Sequence, residues 1–321
     1  MIFININNNT RRKNISKVAI TIRSFDLNSP AMNILRKTCN IVYINSTGQR
    51  LSDSELRLIL HDVDGVIAGT EKITDSVIRA SNRLKVISRV GVGLDSIDLE
   101  SAKKHHILVK NTPESPVISV AEHTVAFIFS ILKNISQYNE KVHHKNYTIQ
   151  PASLLHEKKV GIIGLGRIGS KVAKILDCIG CKIQFYDPFI MSDIPVSWVR
   201  MNSLESLMAN SDIVTIHSTA TPLGKPLIEE KLLSYAKKGL IIINTARGSL
   251  IDEHALIASL ENGQVAAAGL DVFPFEPYDG DLLKYPQVIV TPHVASNTIE
   301  TRRQMELEAV KNLITGLRER S

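Results

Sequence analysis

Val160-Gly-Ile-Ile163 runs straight into Gly164-Leu-Gly166-Arg-Ile-Gly169, and Ser170 to Leu176 then has helical composition. A bare GxGxxG is weak. With an apolar strand before it and a helix after it, the stretch reads as the phosphate-binding turn of a dinucleotide fold. Gly164 permits the tight turn, Gly166 lets the backbone approach a pyrophosphate, and Gly169 lets helix and strand pack closely. The amides of Arg167 and Ile168 are expected to face the phosphates at the positive end of the helix. The next strand, Lys182 to Tyr186, ends in Asp187, 18 positions past Gly169. A carboxylate there accepts hydrogen bonds from the adenine-ribose hydroxyls and repels a 2′-phosphate. NAD is the expected cofactor, and NADP is disfavoured by Asp187.

Outward from this motif the chain alternates short β runs with helical patterns. Upstream, the runs at 18–22, 41–44, 65–68, 85–88 and 107–109 read as strands. Ser52 with Glu55 three residues on has the capping-box pattern of a helix start. Strands alternating with helices indicate parallel sheets with crossover helices. After Pro113 and Pro116, one long helix is expected over about Val117 to Tyr138. It is apolar on most faces and therefore buried, between domains or between subunits. From Lys159 a second α/β series runs to about His293, and residues 298–320 form a last amphipathic helix. With 321 residues the chain exceeds the size at which one core usually divides, so two domains are expected.

Three strand ends of the second series carry chemistry. Ile241-Ile-Ile-Asn-Thr-Ala leads to Arg247, Gly269-Leu-Asp271 leads through a Pro-rich loop to Glu276, and Val288-Ile-Val-Thr-Pro leads to His293. Ligands of open parallel sheets sit at the carboxyl ends of the strands. Arg247 can hold a carboxylate or its neighbouring carbonyl in a planar fork. His293 can exchange a hydroxyl proton near neutral pH. Glu276 can orient the imidazole and favour its protonated form. Oxidation of a 2-hydroxy acid needs these three residue types.

Composition narrows the alternatives. Hydrophobic residues at 44% and charged residues at 22% fit a globular chain, and exclude disorder and coiled coil. The net charge of +6 raises nucleic acid or an anionic membrane. The densest basic pieces are only Arg11-Arg12-Lys13 and Lys103-Lys104, so neither partner is expected. Cys178-Ile-Gly-Cys181 has redox or zinc spacing, but no second ligand pair accompanies it, and no metal is expected. The pair reads as two small buried residues at a helix end and a strand start. The N-terminus, a polar arm up to about Ser16, lacks the order of a signal peptide. No stretch reaches transmembrane length, so a cytoplasmic protein is expected.

These residues resemble the D-2-hydroxyacid dehydrogenase family, with D-3-phosphoglycerate dehydrogenases as the nearest flavour. The shared features are Arg89-Val-Gly-Val-Gly93-Leu-Asp95-Ser-Ile-Asp98, Asn111-Thr-Pro113, Val120-Ala-Glu-His123, the glycine motif, Thr245-Ala-Arg-Gly248, Asp271-Val-Phe273 with Glu276-Pro277, and Pro292-His293. The spacings of 29 between Arg247 and Glu276 and 17 between Glu276 and His293 match as well. The resemblance implies an α/β protein of two Rossmann-like doubly wound domains with the active site in a cleft between them. Residues 1–112 plus 295–321 would form a discontinuous substrate domain, and residues 113–294 the NAD-binding domain, through which a homodimer forms. It further implies that loop amides at Val92 and Gly93 bind the substrate carboxylate. Asp271 would meet the nicotinamide amide. Thr245 and Ala246, with His217 and Ser296, would line the cofactor site.

The expected activity is hydride transfer between NAD and a D-2-hydroxy or 2-keto acid. Candidate pairs are 3-phosphoglycerate with phosphohydroxypyruvate, glycerate with hydroxypyruvate, and glyoxylate. Phosphoglycerate dehydrogenases often carry an Arg in the loop after the third strand, where this chain has Ala68-Gly-Thr-Glu71. Arg23 and Lys72 are then the candidate cations for a phosphate. Thr219 stands where the family often has Pro. No length remains for a C-terminal regulatory domain, so feedback control through one is not expected. The competing reading is a non-catalytic NAD-sensing interaction protein on the same fold. A dehydrogenase of formate or phosphite type would need extra substrate-loop residues that are not seen.

Overall fold

The computed structural model describes residues 15–190, 194–219 and 225–320. Most of the expected N-terminal arm, including Arg11-Arg12-Lys13, lies outside them. The chain divides into two compact units: everything up to Pro116 together with everything from Thr298 onward, and Val117–Asn297. Sequence reading set the borders at 112/113 and 294/295. The structural borders fall where helices begin, at Val117 and just before Ile299.

In the first unit the order is β1 Lys17–Ile20, α1 Pro30–Thr38, β2 Asn40–Ile44, α2 Asp53–Leu60, β3 Gly65–Ala68, α3 Asp75–Arg79, β4 Val86–Arg89, α4 Leu99–Lys104 and β5 Leu108–Lys110. All pairings are parallel, in the order β2-β1-β3-β4-β5. That order reverses direction at β1 and β3, which makes it doubly wound. The expected capping box at Ser52 and Glu55 opens α2. The final helix, Ile299–Glu319, is capped by Thr298 and packs with α1 on one face of this sheet, burying Met305, Ala309, Val310, Leu313 and Leu317. Ser88 on β4 donates to the Ala309 carbonyl at 2.8 Å. Leu313 is fully buried, and its Cδ1 lies 2.7 Å from where a side chain on Gly65 would begin. Leu313→Ala should therefore cost about 2–5 kcal/mol in urea unfolding, the range for a buried leucine that leaves a cavity. A loss below about 1 kcal/mol, the level of ordinary surface substitutions, would mean the helix is only loosely attached.

The second unit runs α5 Val117–Leu132, α6 Ile135–His143, β6 Lys159–Ile163, α7 Arg167–Cys178, β7 Lys182–Tyr186, β8 Val199–Arg200, α8 Leu204–Asn210, β9 Ile213–Ile216, α9 Glu230–Leu233, β10 Leu240–Asn244, α10 Glu253–Glu261, β11 Val265–Leu270 and β12 Val288–Val290. Its seven strands are parallel in the order β12-β11-β10-β9-β6-β7-β8. Counted from β6, this is the dinucleotide-binding order with one strand added at the edge, and its switch point lies between β6 and β9. Both faces of the sheet are covered by apolar clusters. Two parallel doubly wound sheets are the fold class expected from sequence.

Two expectations need correction. The helix expected over 117–138 is two helices bent by 60°. Asn134 takes a left-handed φ of +54°, which ends the α5 geometry. The apolar faces of α5 are buried within its own unit, where Ala121, Val125 and Ile128 join the cluster that includes Val172 and Ile243. The second correction concerns the cysteine pair. Cys181 is buried, with its thiol pushed up to about 11 by burial, but Cys178 is exposed at the end of α7. No single helix among the described residues is long and apolar enough to cross a membrane. Nor is there, among them, a group of three or more His, Cys, Asp or Glu placed to hold a metal.

Candidate active site

The glycine turn follows β6 and leads into α7, whose N-cap is Gly166. Gly164 has φ +87°, and a Cβ there would lie 2.9 Å from the His217 carbonyl carbon and the Ser218 amide. At Gly169 a Cβ would stand 2.0 Å from the Gly164 carbonyl oxygen. Beside Gly166 the space where a side chain would lie is open. The turn therefore has no room for side chains on its sheet side and leaves its outer side clear. Ser218, after β9 across the switch point, has a buried Oγ with no hydrogen-bond partner among the described residues. An orphaned buried hydroxyl and a helix N-terminus without a side-chain cap fit a dinucleotide, which supplies acceptor oxygens to both. His217 beside it bonds to Thr215 Oγ1 at 2.9 Å. Desolvation pushes its imidazole down to about 3, so it is neutral at physiological pH.

Asp187 ends β7 and is 9% exposed. Its Oδ2 accepts from the Leu165 amide at 2.8 Å and its Oδ1 from the Phe189 and Ile190 amides at 2.8 and 3.3 Å. The carboxylate thus holds the glycine turn in place and keeps acceptor capacity for a further donor. Arg200 on β8 donates to the Asp187 carbonyl at 2.9 Å. A two-residue strand carries no sequence pattern, so Arg200 was not foreseen here.

Beyond β10, Asn244 is 1% exposed and braces the next turn. Its Nδ2 donates to the Arg247 carbonyl at 2.8 Å, and its Oδ1 accepts from the Ala246 amide at 3.0 Å. This positions the backbone of Arg247, whose Nη1 donates to the Ala246 carbonyl at 2.7 Å. Thr245 is buried, and its hydroxyl lies 3.0 Å from that of Thr124 on α5. Asn244 was quoted in the motif but given no role. Only the short Asn-to-Arg spacing hints at the brace.

Beyond β11 and β12 the structure brings together residues 17 apart in sequence. His293 Nδ1 is 3.0 Å from both carboxylate oxygens of Glu276, whose Oε1 also accepts from the Phe273 amide at 3.3 Å. Since an ionised carboxylate only accepts, Nδ1 carries the hydrogen and Nε2 of the neutral ring keeps a lone pair. Nε2 makes no hydrogen bond among the described residues. His293 is half-exposed and has φ +56°, a conformation costly for a residue with a Cβ. The carboxylate of fully buried Asp271 accepts from Thr291 Oγ1 and from the Val294 and Ala295 amides, at 2.5, 2.8 and 2.9 Å. Ser296 lies in the turn closed by the Asn297 amide on the Val294 carbonyl.

In the first unit, the loop of Val92 and Gly93 follows β4. Asn111 Nδ2 donates to the Val92 carbonyl at 2.6 Å, and the Gly91 amide donates to Thr112 Oγ1 at 2.7 Å. Arg23 and Lys72 are both exposed. The loop after β3, next to Lys72 in sequence, holds an unforeseen group. Glu71 is 1% exposed, and its Oε1 accepts from Thr21 Oγ1 and from the Gly69 amide at 3.0 Å. A Glu in a polar loop reads as a surface charge, so its burial was invisible in sequence.

Comparison with known proteins accords with this geometry. The family model of the D-isomer specific 2-hydroxyacid dehydrogenase NAD-binding domain matches residues 125–295, just over half of the chain. A D-3-phosphoglycerate dehydrogenase of Bacillus subtilis is 36% identical over 85% of this chain and 52% of its own length. The chain spans about half the length of the curated D-3-phosphoglycerate dehydrogenases it matches. A hydroxypyruvate reductase of Thermotoga maritima is 36% identical over 84% of this chain and 90% of its own. The crystal structure of a D-lactate dehydrogenase from Aquifex aeolicus, complexed with NAD and lactic acid, has a TM-score of 0.80. It is 28% identical and covers 92% of this chain and 93% of that one. NAD is the cofactor these findings support. The chain belongs to the D-isomer specific 2-hydroxyacid dehydrogenase family.

Proposed function

We propose that this protein interconverts a D-2-hydroxy acid and the matching 2-keto acid. The observation that carries the reading is the pairing of His293 Nδ1 with the Glu276 carboxylate at 3.0 Å, beyond the same sheet that carries Arg247. NAD, when bound, supplies the hydride acceptor or donor. In the oxidative direction His293 Nε2 takes the hydroxyl proton, and in reduction it returns it. Glu276 holds the ring and balances the charge it gains. Arg247 holds the acid's carboxylate or the carbonyl oxygen on which negative charge grows during reduction.

The cofactor is assigned to Gly164, Gly166 and Gly169 with the amides of Arg167 and Ile168, to Asp187 for the ribose, and to His217, Thr245, Ala246, Asp271 and Ser296 around the rest. Asp187→Ala should erode the preference for NADH over NADPH by about tenfold or more, since it removes a repulsive carboxylate and leaves Arg200 beside the position. The ratio of kcat/KM for the two coenzymes checks this, and an unchanged ratio would clear Asp187 of the role.

Among acids we favour the unphosphorylated ones, hydroxypyruvate or glyoxylate. The support is Glu71, a buried carboxylate in the loop where phosphate recognition would need a cation. A second reading, phosphohydroxypyruvate, draws support from the exposed cations Arg23 and Lys72. NADH oxidation with glyoxylate, hydroxypyruvate, phosphohydroxypyruvate and pyruvate separates the two. The favoured reading expects a higher kcat/KM for one of the unphosphorylated acids; the opposite order would favour phosphate. NADH binding without turnover on any of them would favour an NAD-sensing role.

A homodimer through the second unit is proposed as well. Ile135 and Val142 on α6, and Tyr147, Ile149 and Leu154 after it, are exposed at 47% to 86%. An apolar set of this size on one segment suits a subunit interface.

A further inference from the structure

His123 takes no part in the reaction proposed above, yet it touches the support of His293. It sits on α5, with its Nε2 3.1 Å from Thr291 Oγ1 and 3.7 Å from Asp271 Oδ1. Its ring packs edge-on against Phe127, with centroids 4.7 Å apart. Thr291 has a single hydroxyl hydrogen. That hydrogen goes to Asp271 Oδ1 at 2.5 Å, because the carboxylate can only accept. The Thr291 oxygen must then accept from His123, so Nε2 of His123 carries a hydrogen. The direction of the chain is fixed: imidazole N–H to hydroxyl, hydroxyl to carboxylate.

The carboxylate at the end of this chain clamps the backbone of the His293 loop. It accepts from the Val294 and Ala295 amides at 2.8 and 2.9 Å, the two peptide groups that follow His293. His293 itself has φ +56°. A left-handed residue bearing a Cβ persists only where its surroundings impose it. Removing a donor from one end of a polar chain inside the protein weakens every bond along it. We propose that His123 is a positioning residue: by donating to Thr291 it aligns the Asp271 clamp and so holds His293 in the turn that presents it to substrate. The link from this clamp to turnover rests on the assignment of His293 as the proton-transfer residue; the clamp itself does not.

A merely space-filling role for His123 makes a different forecast. Phenylalanine keeps the ring and its packing on Phe127 but removes the donor, whereas glutamine restores an N–H donor at similar reach. Three variants of the full chain, His123→Phe, His123→Gln and Thr291→Val, are compared by amide hydrogen exchange, kcat with the best 2-keto acid, and NADH affinity. In His123→Phe the Val294 and Ala295 amides should exchange about tenfold faster while the amides of β10 keep their protection. kcat should fall about tenfold, more than NADH affinity does because Asp271 itself stays in place, and His123→Gln should regain most of the loss. Wild-type exchange at Val294 and Ala295 in His123→Phe would overturn the proposal, as would a glutamine variant no better than the phenylalanine one. If His123→Phe does not fold, Thr291→Val cuts the same chain without touching His123, and unchanged exchange there overturns the proposal equally. A wild-type protein without turnover would count against the assigned reaction alone, because the exchange measurement still decides the positioning role.

Discussion

His293→Ala is expected to lower kcat about a thousandfold, within the range that a positioned acid–base group contributes. NADH affinity should change little, because the phosphate-binding turn lies after β6 and the cofactor residues Asp271 and Ser296 keep their side chains. The size of the effect follows from the hydrogen bonding at the ring. Nδ1 is committed to Glu276 at 3.0 Å, so the lone pair is directed to Nε2, the nitrogen without a partner among the described residues. Asp271 does not replace it, having both oxygens turned to the loop and being fully buried. Glu276→Gln should cost less, about ten- to a hundredfold. The amide can hold the ring in either tautomer and cannot balance an imidazolium. Steady-state rates with stopped-flow NADH binding check both variants. A His293→Ala enzyme within about tenfold of wild type would remove His293 from the proton-transfer role.

Arg247→Ala should reduce kcat/KM about 10²- to 10³-fold, the loss typical of removing one donor from a site where negative charge develops. Arg247→Lys should recover little of it, since an ammonium cannot present a planar fork to a carboxylate and its neighbouring carbonyl. The backbone of Arg247 is held by Asn244, whose buried amide bonds both sides of the turn. The substitution should therefore leave the turn, and the melting temperature, nearly unchanged. Rate constants and thermal unfolding measured together separate lost chemistry from lost structure. A lysine variant as active as the wild type would show that charge alone suffices there.

How much of this was legible in the sequence depended on whether a feature is local. The glycine turn was readable because its tight positions answer a local steric demand: a Cβ on Gly169 would stand 2.0 Å from the Gly164 carbonyl oxygen. That Arg247, Glu276 and His293 lie beyond one end of the sheet was readable because each follows an apolar strand, and parallel strands end on the same side of a sheet. Features set by contacts through space were hidden. The bend at Asn134 comes from a single left-handed residue inside an unbroken apolar pattern. Burial of Glu71 depends on Thr21, fifty residues away. His123 was quoted in a motif, but its partner Thr291 is 168 positions distant. Asp271, assigned to the cofactor, also holds the loop after His293 with its carboxylate, a task that depends on backbone conformation and has no sequence pattern.

The central claim is direct hydride exchange between NAD and C2 of a D-2-hydroxy acid. Incubation with NADH doubly deuterated at C4 and with the best chiral-product 2-keto acid of the panel, glyoxylate excluded because glycolate is achiral, followed by mass spectrometry and chiral separation of the product, tests it most directly. The result expected is a D-2-hydroxy acid carrying one deuterium at C2, formed by the wild type and about a thousandfold more slowly by His293→Ala. A product of L configuration, a product with hydrogen from water at C2, or no product at all would contradict it.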